Sequence, residues 1–85
     1  MYDKRIMSEP TEVEARFGAD GKITIRSLTW RWRTLPVVSH GRRWKADDGL
    51  HFLVMTTEER IFELVFDPDS SLWQVARVPD RRLGA

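Results

Sequence analysis

Apolar and polar side chains alternate along most of this chain with a period of two, and no stretch of ten residues follows the period of a helix. The alternation begins at residues 11–17. There Val13, Ala15 and Phe17 point one way and Glu12, Glu14 and Arg16 the other, as in a half-buried strand. Gly18, Ala19, Asp20 and Gly21 then supply a hairpin turn. A second strand spans residues 22–30, but Ile23 and Ile25 share one parity and Leu28 and Trp30 the other. One face cannot bury both pairs unless an extra residue intervenes, so a β-bulge is expected near Arg26 and Ser27. Arg31, Trp32 and Arg33 form the predicted turn into a third strand at 34–39, where Pro36 calls for an edge position. His40, Gly41, Arg42 and Arg43 read as a breaker, Trp44 as a short strand or a cap on a barrel mouth, and residues 46–49 as another turn.

Residues 50–57 and 60–67 give the strongest hairpin, linked by Thr57, Glu58 and Glu59. Phe52 and Val54 match Phe62, Leu64 and Phe66 as one face, while Leu53, Met55, Ile61 and Val65 make the opposite face apolar too. Residues 67–71 are a turn, and the last strand runs over 72–78 with Trp73 and Val75 on one face before Pro79 ends it. The expectation is therefore all-β: a single small antiparallel sheet of about six strands, curled or barrel-like to hide its edges. Residues 10–80 make one domain, preceded by a loosely held arm at 1–9 and followed by a polar tail at 81–85.

Length narrows this further. A chain of 85 residues buries only roughly 60–65% of its unfolded surface, so the core is thin. With no cysteine there is no disulfide staple and no thiolate metal site. Four Trp, four Phe and one Tyr supply the large side chains such a core needs, a buried aromatic removing about 150–250 Å² from water. Trp30, Trp44 and Trp73 are expected inside and Trp32 outside. The longest apolar runs are too short to span a bilayer and the N-terminus has no apolar leader core, which makes a cytoplasmic location the default expectation.

The order of several short motifs resembles a bacterial family of small β domains of unknown function. Its members occur alone or at the C-terminus of proteins related to Y-family, error-prone DNA polymerases. The residues that carry the resemblance are Pro10 with Val13, Glu14 and Ala15; the run LTWRWRTLPV from Leu28 to Val37; GRRW from Gly41; HFLV from His51; IFELVFD from Ile61; and LWQVARV from Leu72. The family pattern has Gly where this chain has Trp32 and an aromatic residue where it has Pro79. The resemblance implies a setting in DNA damage tolerance and a DNA-repair protein as partner. It implies no reaction.

Charge is unevenly distributed. Residues 1–21 hold three cations and five anions, residues 22–45 seven cations and no anion, and residues 46–85 four cations and eight anions. Arg31 and Arg33 alternate with Trp30 and Trp32, and Arg42 and Arg43 adjoin Trp44. Guanidinium groups pair with phosphates while indoles stack on unpaired bases, so Arg31, Trp32, Arg33, Arg42 and Arg43 are the candidate nucleic-acid-binding residues of a basic edge. Glu12 and Glu14 are the acids expected to face Lys22 and Arg26 across the first hairpin. The alternative is a docking or homodimer face made of Leu53, Met55, Ile61 and Val65. No nucleophile, base and orienting group occur together, so no catalytic residue is assigned. His40, Asp47 and Asp48 lack a diagnostic metal-ligand spacing, no phosphate-binding loop occurs, and no cofactor is expected. His51, between Leu50 and Phe52, is expected to face solvent.

Overall fold

The computed structural model describes residues 9–77 as seven strands. These are β1 (Glu9–Thr11), β2 (Val13–Phe17), β3 (Ile23–Trp30), β4 (Arg33–Ala46), β5 (Gly49–Thr56), β6 (Arg60–Asp67) and β7 (Leu72–Arg77), with a 3-10 turn (Thr57–Glu59) between β5 and β6. They form one antiparallel sheet in the order β1-β7-β6-β5-β4-β3-β2, curled into a half-barrel. The two ends of that order are consecutive in the chain. Glu12 alone separates β1 from β2, its carbonyl accepts the Thr29 amide at 2.9 Å, and the Thr11 hydroxyl donates to the Thr29 carbonyl. The first segment thus pairs with β7 through β1 and with β3 through β2. The expected arm and tail lie outside the described residues, apart from Glu9, which opens β1.

The bulge falls where the parity change requires it. Glu14 pairs with Ser27 and Ala15 with Ile25, which leaves Arg26 as the extra residue. Ile23, Ile25, Leu28 and Trp30 are consequently all buried. They pack with Leu35, Phe52, Val54, Phe62, Leu64, Phe66, Trp73 and Val75 in one core. Trp73 lies 4.7 Å from Phe66 and 5.6 Å from Phe52 between ring centroids, and Trp30 meets Phe62 edge-on at 5.8 Å. The β5–β6 hairpin has the expected register, with Phe52 opposite Leu64 and Val54 opposite Phe62.

Several expectations need correction. The third strand does not stop at residue 39: β4 runs through to Ala46, because register shifts after Val37 and after His40 absorb the irregular residues in place of a loop. His40, Arg42, Arg43 and Trp44 therefore all sit on one strand. Phe17 is 57% exposed at the end of β2, with only its ring against Phe66 at 5.6 Å. The Arg26 bulge also removes the expected pairing of Glu14 with Arg26, and Glu14 accepts a bond from the Ser27 hydroxyl at 3.3 Å instead. His51 is buried rather than solvent-facing, as described below. Pro36 does lie at an edge, since β5 joins β4 only from Val37 onward.

Candidate nucleic-acid interface

The β3–β4 connection is a two-residue turn. Trp30 pairs with Arg33, and the residues between them, Arg31 and Trp32, have φ of 53° and 73°. Positive φ at both central positions marks a type I′ turn, whose twist matches that of the flanking strands and which normally calls for Asn-Gly. Here the positions hold an arginine and a tryptophan. The Arg31 guanidinium lies 4.6 Å from the centroid of the buried Trp30 ring. Trp32 is 97% exposed, so its indole touches almost nothing in the fold.

The seven cations of residues 22–45 all lie on or beside β3 and β4, and all are exposed. Among the described residues none of the seven forms an ion pair with a carboxylate. The structure divides the five predicted binding residues into two groups. Arg31, Trp32 and Arg33 form the hairpin tip. Arg42 and Arg43 lie nine and ten positions further along β4, about 30 Å of extended strand away.

The second group belongs to a cluster that alternation alone did not expose. Asp47 and Asp48 form the tight β4–β5 turn, which sets Trp44 directly opposite His51. The two rings stack at 5.1 Å with 21° between planes, and the Arg42 guanidinium lies 5.2 Å from the same indole. His51 Nδ1 lies 2.7 Å from Glu63 Oε2 and Nε2 lies 2.7 Å from Asp48 Oδ1, and the protonated ring donates to both. An imidazole that donates from both nitrogens is positively charged. Burial of His51 (8% exposed) is the largest single influence and pulls its pKa down. The hydrogen bonds and charges of Asp48 and Glu63 together outweigh it and hold the pKa above 6.5. Asp48 is lowered from 3.8, chiefly by its hydrogen bond to His51. Counting back from a two-residue turn at Asp47 and Asp48 would have placed Trp44 over His51.

The four residues of the alternative docking face separate as well. Val65 is 6% exposed and unavailable to a partner, which corrects that assignment; it pairs with His51 on the covered part of the sheet. Leu53 and Met55 are half-buried, and Ile61 is 40% exposed. Among the described residues no group of three or more His, Asp or Glu side chains is arranged to hold a metal ion. No helix among them is long and apolar enough to cross a membrane. Comparison with protein-family models, with curated proteins and with solved structures gives no match for this chain.

Proposed function

We propose that this domain is a non-catalytic accessory module that contacts nucleic acid through the β3–β4 hairpin tip, with Trp32 stacking on an unpaired base and Arg31 and Arg33 meeting the adjacent phosphates. The exposed cations further along β3 and β4, Arg42 and Arg43 among them, extend the positive field along the same ribbon. Trp32 carries the reading. Its indole is exposed, it stands at a backbone position that disfavours any side chain, and it contributes nothing to the core. The other indoles are occupied: Trp30 and Trp73 are buried, and Trp44 contacts both His51 and Arg42. A base stacked on an aromatic ring is worth roughly 1–3 kcal/mol, and phosphate contacts add a term that weakens steeply with salt.

The test is a titration with single-stranded oligonucleotides at low and at physiological salt, followed by tryptophan fluorescence. The expected result is saturable quenching that weakens with salt and is lost in Trp32→Ala. Absence of quenching at high protein concentration overturns the reading.

A further inference from the structure

The ladder between β3 and β4 ends at the Ser27–Pro36 pair. Beyond it, among the described residues, residues 23–26 have only β2 as a strand neighbour and residues 37–46 have only β5, so among these residues the sheet is open there. One side chain spans the gap: His40 Nε2 lies 3.2 Å from the Ile25 nitrogen and 2.9 Å from the Ile25 carbonyl oxygen. A single ring nitrogen serves these two groups one at a time, accepting from the amide when unprotonated and donating to the carbonyl when protonated. The N–H and C=O of a strand residue point to the same side and recur every second residue, so Ile23 presents its own pair to the same gap. Past His40 the gap widens into a cavity of about 260 Å³, walled by Ile23, Leu50, Phe52 and Trp44 with Arg43 at its side. Lys22, Arg26, Arg42, Arg43 and Lys45 flank the opening, all exposed. Of the nearby acids, Asp48 and Glu63 are engaged by His51 and Asp20 accepts from the Lys22 amide, so the five cations outnumber these three and Asp47.

We propose that this gap is a docking slot for an extended acidic peptide, which enters as an added strand against β3 and seats one apolar side chain in the cavity. Groups of β3 that face the gap with no strand partner there, Ile25 held only by a single ring nitrogen, call for a backbone with amides and carbonyls at strand spacing. The mostly apolar walls call for one apolar side chain, and the cations for acidic residues beside it. A nucleic acid would satisfy the cations and leave the strand groups unused. The slot lies at the opposite end of β4 from the hairpin tip and shares with the surface proposed above only the field of its exposed cations.

The test uses a short fluorescein-labelled peptide with a central Leu flanked by alternating Glu and Thr, measured by anisotropy at physiological salt. A second version is N-methylated at alternate residues, which removes strand-pairing donors and keeps every charge. Binding of the first peptide, about tenfold weaker for the second, with slowed amide exchange at Ile23 and Ile25, supports the slot. His40→Ala, which removes the group now occupying the Ile25 edge, is expected to tighten binding. Equal affinity for the two peptides, no binding, or unchanged exchange at Ile23 and Ile25 overturns it. Because the comparison of peptides is made on the unaltered protein, it decides the matter even where the variant folds poorly.

Discussion

Replacing Trp32 with Gly is expected to make the domain more stable while abolishing contact with nucleic acid. Its φ of 73° lies in the left-handed region, where a residue with a Cβ is strained by about 1–2 kcal/mol. Removing the side chain relieves that strain. Gly also adds freedom to the unfolded chain, which offsets about 0.5–1 kcal/mol of the gain. No burial term opposes the change, because the indole is 97% exposed. The net is a stabilisation of about 0.5–1 kcal/mol, or a rise in Tm of about 3–6 °C for a domain of this size. Trp32→Ala is the informative control. Alanine keeps the Cβ and therefore the strain, so its Tm is expected to stay within the range of ordinary surface changes, about 0.5 kcal/mol. The assay is thermal unfolding by circular dichroism for all three proteins, set beside oligonucleotide binding. Gly above Ala and wild type in Tm, with both variants failing to bind, is the expected pattern. A Gly variant less stable than wild type, or an Ala variant destabilised by more than about 1 kcal/mol, would mean that the indole packs in the fold and would refute the argument.

Other parts of the structure make separate predictions. The pKa of His51 is raised by folding, so its contribution is complete below 6.5 and is lost as pH rises through the folded value. That of Asp48 is lowered, so its contribution is complete above 3.8 and is lost as pH falls through the folded value. Tm is therefore expected to be highest between about pH 4 and 6.5 and to decline on the alkaline side, and His51→Gln should flatten that decline in a Tm-against-pH series. Gly49 has φ 137°, and a Cβ there would lie 2.3 Å from the Phe66 carbonyl oxygen, so Gly49→Ala should lose about 2–4 kcal/mol in urea unfolding. Phe62 is fully buried beside Trp30, and Phe62→Ala should lose about 3–5 kcal/mol by the same measurement, against little change for the exposed Leu72→Ala.

Local pattern made much of the fold legible. The parity change between Ile25 and Leu28 located the bulge, because a buried face tolerates no slip of one residue. The β5–β6 hairpin followed from matched apolar positions on either side of a polar link. The extent of β4 did not follow, because Gly41 and the adjacent cations look like a loop in one dimension. In the sheet, two register shifts let the strand carry them and continue. The basic edge was drawn from composition, and its residues divide in space for the same reason: once β4 is unbroken, Arg33 and Arg42 stand near its two ends. His51 was hidden for a different reason. Alternation placed it on the outer face, where it is, but its cover comes from Trp44 on the neighbouring strand and from Asp48 and Glu63. Only register across two turns brings these together.

The irregularities also account for where the sheet opens. A bulge adds twist to its own strand, and here β3 carries one at Arg26 while β4 carries two at different heights. Strands twisted unequally hold a common ladder only over the stretch free of bulges, which for this pair is Ser27–Trp30 against Arg33–Pro36. The hairpin tip and the open gap are thus two results of one arrangement, a short paired end and a splayed end on the same two strands. That layout makes a prediction about coupling. Sites separated by more than about 7–10 Å with no shared partner act additively. Peptide affinity is therefore expected to be the same in Trp32→Ala as in wild type, and oligonucleotide affinity at physiological salt the same in His40→Ala. At low salt the two anionic ligands should weaken each other through the shared field of the seven cations, and that interference should vanish as the Debye length falls to about 8 Å near 0.15 M. Mutual exclusion that persists at physiological salt would place both ligands on one surface and remove the division between tip and gap.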